Sequence, residues 1–180
     1  MALAEEALLR GWEVSLVHGP LEVAVPSNIS PYPVTTAQEM LDVCRKLHPA
    51  CDVVIGAAAV SDYRPREILT RKRKREELPW VIELVPTEDI LADLGRRKGS
   101  KIHVGFALET DNILENGQRK LREKNLDWLV ANPRSAIGAP SSHYYLLGAD
   151  GSQKDVGTIS KRELARIVCE VVGPKLHRRD

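Results

Sequence analysis

The sequence DVVIGAAAVSD occupies positions 52–62 and predicts both the class of fold and a candidate site. Residues 52–58 form an almost continuous apolar run, which is typical of a strand covered on both faces of a sheet. Small residues and then Asp62 follow where that strand would end. Small side chains there would let the base or sugar of a ligand lie on the backbone, with Asp62 facing it. The alternative is a tightly packed strand end in which Asp62 caps a turn.

Helical and strand patterns alternate along the rest of the chain. The predicted helices cover residues 2–10, 36–48, 87–98, 112–124 and 160–172, and the predicted strands cover residues 13–17, 32–35, 52–58, 80–85, 102–108, 127–131 and 143–148. Capping boxes begin two of the helices, at Thr36 and Ser160. This order predicts an α/β fold with a doubly wound, Rossmann-like, mostly parallel sheet and flanking helices. Ligands bind such sheets at the carboxyl ends of the strands.

The composition is that of an ordinary globular protein and excludes several classes. The 180 residues are enough for one domain, and a net charge of +1 provides no global field for a nucleic acid. The three cysteines are widely spaced and lack a CxxC pair, so they predict reduced thiols in the cytoplasm rather than disulfides or a zinc site. The longest apolar run, residues 53–60, is far shorter than the roughly 20 residues that cross a bilayer, so no membrane partner is expected.

A basic run, RKRKR at residues 71–75, lies within a polar stretch over residues 64–77 that predicts a flexible loop. A lysine on such a loop could reach a nucleotide phosphate and offset the negative charge that develops as a phosphate leaves. The alternatives are a solvated loop and a patch for RNA binding or nuclear import.

Three further candidates lie on the next two elements. Phe106, the only phenylalanine, ends an apolar strand and could stack on a base, although a position in the core is the alternative. Lys120 and Lys124 are four residues apart and therefore share a helix face. They could reach a cleft, or they could be ordinary solvated lysines. The apolar stripe beside them is predicted to be Leu114, Gly117 and Leu121. The chain has no GxGxxG or P-loop motif, and its histidines show no metal-ligating spacing.

Taken in order, these segments resemble a known family. The segments are GP at 19–20, VTTAQEM at 34–40, AAAVSDYRP at 57–65, the lysine run, EDIL at 88–91, VGFALET at 104–110, KLREKNLD at 120–127 and VAN at 130–132. Together they are similar to bacterial phosphopantothenoylcysteine synthetase, usually the C-terminal half of the bifunctional flavoprotein of coenzyme A biosynthesis. The match runs in one order from about residue 2 to residue 172.

The resemblance implies a ligase reaction. The carboxylate of 4′-phosphopantothenate attacks the α-phosphate of CTP, pyrophosphate leaves, and an acyl-cytidylate forms. The amine of L-cysteine then displaces CMP and gives an amide. The resemblance also implies Mg²⁺ as the assisting cation, with no metal-ligating residues assigned, and a homodimer as the default assembly. Because an acyl phosphate hydrolyses quickly, a basic flap that closes over it would be useful.

The resemblance also implies roles for particular residues. Lys72 corresponds to the catalytic lysine of the flap, and Asp62 contacts the nucleotide or its metal. The residues implied to bind the nucleotide are Gly56, Ala57, Ala58, Asp62, Lys72, Glu88, Asp89, Ile90, Leu91, Phe106, Lys120 and Lys124. The segment 88–91 would read the base, and Glu88 stands where the family usually has proline.

The chain departs from the family at its front. The family opens with a strand and a glycine-rich segment whose amides and asparagine hold phosphate, whereas this chain begins inside the first helix. We therefore expect a single domain over residues 1–180 that lacks the first strand and the glycine-rich loop. A start further upstream, a front or decarboxylase half supplied by another chain, and a paralogue that binds nucleotide without catalysis all remain open. Smaller departures are Arg73, which replaces an apolar residue, and residues 141–145, which lack the usual asparagine.

Overall fold

The computed structural model describes residues 1–69, 71–72, 74, 79–109, 112–133 and 140–176. The helices are α1 (Ala2–Leu9), α2 (Ala37–Leu47), α3 (Ile90–Arg96), α4 (Ile113–Glu123) and α5 (Lys161–Leu176), with a 3₁₀ turn at His48–Ala50. The strands are β1 (Ser15–His18), β2 (Ser30–Pro33), β3 (Val53–Gly56), β4 (Tyr63–Pro65), β5 (Leu84–Pro86), β6 (Ile102–Glu109), β7 (Trp128–Pro133), β8 (Ser141–Gly148) and β9 (Gln153–Ser160).

Within the described residues, the strands form one large sheet and two small ones. The large sheet has the order β3-β6-β7-β8-β9. β3, β6 and β7 run parallel, whereas β8 and β9 are antiparallel additions. β1 and β2 form a parallel pair, and β4 and β5 form an antiparallel pair. The predicted α/β class is confirmed, and the large sheet is mixed.

Helices cover both faces of the large sheet, as the doubly wound prediction requires. On one face, α5 packs against apolar side chains of β6, β7 and β8; this α5-side core contains Val104, Val130, Leu146 and Val168. On the other face, α4 packs against the same strands, and this α4-side core contains Ala107, Leu121, Leu129 and Leu147.

Three local predictions need correction. β3 lies at the edge of the large sheet, so its side chains are half-buried rather than covered on both faces. The apolar stripe of α4 begins at Ile113, which packs against the α4-side core, whereas Leu114 is exposed. The N-cap of α3 is Asp89, whose carboxylate accepts from the Ala92 amide at 3.0 Å, rather than Thr87, where the predicted helix 87–98 begins. The start of α3 thus differs from the prediction by two residues, which is the usual uncertainty of helix boundaries.

The capping boxes are present as predicted. Thr36 Oγ1 accepts from the Glu39 amide at 3.1 Å, and the Glu39 carboxylate accepts from the Thr36 amide. Ser160 and Glu163 make the same reciprocal bonds at the start of α5. Gly11 has φ +77° directly after α1, which is the left-handed conformation that glycine adopts beyond a helix end.

A buried pair of histidines lies at the amino end of β6. The Nε2 atoms of His48 and His103 are 3.1 Å apart, and His103 is fully buried. Burial first, and then the neighbouring His48, Lys98 and Lys101, lower the pKa of His103 to about 4, against the opposing charge of Asp127.

This histidine pair predicts a loss of stability in mild acid. The unfolded chain protonates a histidine near its ordinary pKa of 6.5, whereas folded His103 resists protonation until about pH 4. Stability from the neutral form is therefore complete above pH 6.5 and is lost as the pH falls through this window. Urea unfolding between pH 7.5 and pH 4.5 measures the slope. We expect His103→Gln to flatten the slope. The control is His143→Gln, at a half-buried site on β8, and it should keep the slope. Equal slopes for the two variants would refute the assignment.

Candidate functional site

The candidate site lies where β3 and β6 end. Gly56 and Gly105 are direct neighbours across these parallel strands. The side chain of Leu91 covers both: a Cβ on Gly56 would lie 2.6 Å from Leu91 Cδ1, and one on Gly105 would lie 3.5 Å from the same atom. The space above Gly56 is thus filled by Leu91. The role that the resemblance implies for Gly56, bordering the nucleotide, stays a prediction.

The residues that follow Gly56 are open to solvent. Ala57, Ala58 and Asp62 are all exposed. The carbonyl oxygen of Asp62 accepts from the Thr87 amide at 2.8 Å, which ties the end of this segment to the residue after β5. The predicted small-residue surface therefore exists, and it adjoins the predicted base-reading segment 88–91.

Lys120 and Lys124 are held at this edge of the sheet by carboxylates. Lys120 Nζ lies 2.7 Å from an oxygen of Glu109, a buried residue at the end of β6. Lys124 Nζ lies 2.8 Å from an oxygen of Asp89. The two side chains are about one third exposed. Each lysine therefore makes a short ion pair, and the predicted role of both in nucleotide binding stays a prediction.

Asp89 holds two positions together through one carboxylate. It caps α3 at the Ala92 amide and pairs with Lys124 of α4. Burial opposes ionisation of this carboxyl group, but the hydrogen bonds from Lys124 and Ala92 outweigh it, so the pKa of Asp89 is lowered. It remains ionised at neutral pH, and the pair fixes the start of α3 against α4.

A second ion-pair network lies behind the same segment, and sequence reasoning missed it. Asp93 of α3 is 2% exposed and receives both ends of the Arg45 guanidinium, each at 2.9 Å. Arg96 also donates to it at 2.9 Å. The Arg45 hydrogen bonds, against the cost of burial, lower the pKa of Asp93 to about 2. The sequence signal for this network is Asp93 itself, an acid among the inward-facing apolar residues of α3. A buried acid needs a cation as partner, and the sequence does not identify which one.

The predicted site residues do not all lie on one side of the sheet. Lys120, Lys124 and Leu91 belong to the α4 side, where Leu91 packs against the α4-side core. Phe106 is half-buried and packs against the α5-side core. The structure thus brings the lysines, Asp89 and Leu91 together and places Phe106 on the opposite face of β6.

In the sequence, the basic run lies between β4 and β5, which form an antiparallel pair. This pair begins directly after Asp62 and ends directly before Thr87, so the base of the loop adjoins the candidate site. Lys72 is described and exposed. Arg73 and Arg75 of the run, and Thr110 of the segment 104–110, lie outside the described residues.

Magnesium fits this edge only as a metal shared with a ligand. In the described part of the chain, no three histidine, cysteine or acidic side chains are grouped closely enough to hold a metal ion. Mg²⁺ is often held by one or two carboxylates together with substrate phosphates. The exposed carboxylate of Asp62 suits that mode.

The sequence model of the DNA/pantothenate metabolism flavoprotein C-terminal domain family matches residues 1–174. The chain belongs to this family. This match confirms the family that the ordered motifs predicted. The motifs resemble the C-terminal half of the same flavoprotein.

Relatives in sequence and in structure agree with this membership. The coenzyme A biosynthesis bifunctional protein CoaBC of Bacillus subtilis is 35% identical over 169 residues, which are 91% of this chain and 42% of that protein. The crystal structure of the C-terminal domain of a CoaBC protein has a TM-score of 0.84 at 34% identity, covering 98% of this chain and 81% of the other. The chain spans less than half the length of the curated relatives it matches.

A third likeness shows the fold alone. A Cab2 mutant, H337A, in complex with phosphopantothenate-cysteine has a TM-score of 0.70 at 14% identity, covering 98% of this chain and 76% of the other. Among the helices of the described residues, none has the length and apolar character that spanning a membrane requires.

Proposed function

We propose that this flavoprotein C-terminal domain is a phosphopantothenate–cysteine ligase that forms its amide through an acyl-cytidylate made from CTP. The observation that carries the proposal is the paired-lysine edge, defined as Lys120 with Glu109 and Lys124 with Asp89. In a member of this family, it lies at the carboxyl ends of the strands, where sheets of this kind bind ligands. The phosphopantothenate-cysteine bound to the Cab2 structure belongs to that protein, and it is compatible with the same chemistry here.

The paired-lysine edge suits a nucleoside triphosphate. Each lysine has one short ion pair and part of its surface in solvent, so it can turn towards an incoming phosphate without moving the helix. The carboxylates keep the ammonium groups in place before the ligand arrives. Such preorganisation lowers the conformational cost of binding. The exposed Ala57 and Ala58 would let the nucleotide lie against the backbone.

Lys72 would act on the reacting phosphate. It is the seventh residue after Pro65 at the end of β4, and an extended chain of that length spans about 23 Å. The ammonium group can therefore reach the cleft beside Asp62. There it would meet the negative charge that develops as the carboxylate oxygen bonds to the α-phosphorus and pyrophosphate departs. In the second step the amine nitrogen would bond to the acyl carbon and lose a proton, the bond from that carbon to the phosphate oxygen would break, and Lys72 would stabilise the CMP that leaves. Mg²⁺, when bound, would neutralise part of the phosphate charge, and Asp62 would hold it.

A CTP-dependent assay tests the proposed function. Pyrophosphate release is measured with CTP, 4′-phosphopantothenate and L-cysteine, and CTP is then replaced by ATP or a substrate is omitted. We expect release that requires CTP and the carboxylate, and an amide product that also requires cysteine. Binding of CTP without release would favour the alternative of a nucleotide-binding paralogue. Neither binding nor release would overturn both readings.

We propose a homodimer from the surface of the β4–β5 arm, which comprises these strands and the described residues beside them. Large apolar side chains are concentrated there and exposed. They are Tyr63, Ile68, Leu69, Trp80, Val81, Ile82 and Leu84, each more than half exposed. A patch of this kind marks an interaction site. A two-stranded pair with open edges can be extended by a second copy about a two-fold axis, the commonest symmetry of oligomers.

In the cytoplasm, which we propose as the location, the three unpaired cysteines would stay reduced.

Val81→Glu is expected to convert the dimer into a monomer. Val81 is 85% exposed, so a charge there should cost the fold of one subunit little while opposing a buried interface. Leu9→Glu is the matched control, because Leu9 is 82% exposed on α1, outside the arm. Sedimentation equilibrium should give twice the subunit mass for the wild type and the control. A monomeric wild type, or a dimeric Val81→Glu, would contradict the proposed interface.

A further inference from the structure

The proposed base-reading segment, residues 88–91, is packed at its last residue, where Leu91 lies against Gly56 and the α4-side core, whereas its start depends on neighbouring helices for its position. Glu88 and Asp89 are exposed, and Ile90 and Leu91 are half-buried. The segment leads into α3, which has only seven residues and begins at Ile90 within the segment. A helix this short is marginal without tertiary contacts. The contacts that fix the start of the segment must therefore come from α2 and α4.

Arg45 supplies the contact from α2. Its guanidinium bonds to both oxygens of Asp93 at 2.9 Å and also lies 3.3 Å from Glu88 Oε2. Glu88 lies just before the first turn of α3, and Asp93 lies at the end of that turn. One side chain thus holds both ends of that turn. The planar fork of arginine suits this geometry, which the single ammonium point of lysine cannot reproduce.

The contact from α4 is the Lys124–Asp89 pair, assisted by a backbone contact further along α3. The Asn125 side-chain amide donates to the Gly95 carbonyl at 2.9 Å. The first turn of α3 is therefore held from two sides, by α2 through Arg45 and by α4 through Lys124. Because Lys124 would be drawn towards a bound nucleotide, Arg45 is the contact that stays in place when the ligand arrives.

We propose that Arg45 is a positioning residue for nucleotide binding: by bridging Glu88 and Asp93 it fixes the segment 88–91 against the carboxyl end of β3. This inference rests on the proposed function, since it concerns the same nucleotide site. Arg45 itself lies on α2, behind the segment, and acts through Glu88 and Asp93. The network also gives Glu88 a role, as a partner of Arg45, that a proline at this position could not have.

Arg45→Lys tests the proposal while keeping the positive charge. We expect the Kd for CTP, measured by calorimetry, to rise about tenfold, the equivalent of one charge-assisted hydrogen bond. In steady-state assays the KM for CTP should rise by a similar factor, with kcat within about twofold, because a displaced binding segment weakens ground-state and transition-state contacts alike. Arg166→Lys is the control, since Arg166 makes only an exposed pair on α5 and should change neither value.

Amide hydrogen exchange in the ligand-free protein separates the outcomes. The amides of residues 90–94 should exchange faster in Arg45→Lys than in the wild type, with α5 unchanged. Unchanged exchange, or faster exchange with an unchanged Kd, would overturn the positioning role. A wild type that binds no CTP would overturn the proposed function, and with it the role in nucleotide binding. The exchange difference would then still show whether Arg45 holds the turn.

Discussion

Lys72→Met is expected to lower kcat by about 100- to 1,000-fold while the Kd for CTP stays within about threefold. The reason is that Lys72 is exposed on a loop and is proposed to meet charge that develops only as the phosphate bonds rearrange. A contact made in the transition state alone affects the rate rather than ground-state binding. Initial rates of pyrophosphate release and calorimetric titration with CTP measure the two quantities.

Lys74→Met is the matched control for this loop. Lys74 is also exposed, carries the same charge and lies two residues away. We expect Lys74→Met to keep kcat within about threefold, because the proposed role belongs to Lys72 alone. A general basic field, by contrast, would be reduced equally by either change. Equal losses for the two variants would assign the loop a diffuse electrostatic role. An unimpaired Lys72→Met would remove Lys72 from the mechanism.

Gly95→Ala is expected to destabilise the protein by about 3 kcal/mol. In a free helix, this change would be favourable by about 1 kcal/mol, since alanine is the better helix former. Gly95 is buried in α3, however, and a Cβ there would overlap the carbonyl oxygen of Lys124. That oxygen is backbone and cannot rotate away, so α3 and the end of α4 would have to separate. The change would then also disturb the Lys124–Asp89 pair and weaken CTP binding.

Gly173→Ala is the control for that experiment. It is a second helical glycine, in α5, and a Cβ there would meet Trp12 at 3.9 Å, an ordinary contact. Urea unfolding should therefore show stability equal to or greater than that of the wild type. If Gly95→Ala were as stable as Gly173→Ala, the close approach of α3 to α4 would be refuted.

The sequence predicted the elements whose signals are local. The capping boxes at Thr36 and Ser160 and the glycine after α1 lie where expected, because each depends on residues within four positions. β9 was not predicted, since QKDVGTIS over Gln153–Ser160 is polar and shows no apolar alternation. It is stabilised by pairing with β8, which a local pattern cannot reveal.

The candidate site was predicted less completely, for the same reason. The spacing of four residues placed Lys120 and Lys124 on one helix face, but their carboxylate partners come from other elements. Arg45 and Asp93 are 48 residues apart and give no joint signal. The packing of Leu91 over Gly56 gave no local signal either, because the two residues are 35 positions apart. The predicted roles in nucleotide binding remain predictions.

The most direct test of the account is a crystal structure of the protein with CTP bound. We expect the triphosphate at the carboxyl ends of β3 and β6, with an ammonium nitrogen of Lys120 or Lys124 within about 3.2 Å of a nucleotide oxygen. The base should lie against the segment 88–91, and Lys72 should be able to approach the α-phosphate. A nucleotide bound elsewhere, for example at the amino end of β6 beside His48 and His103, would contradict the central claim.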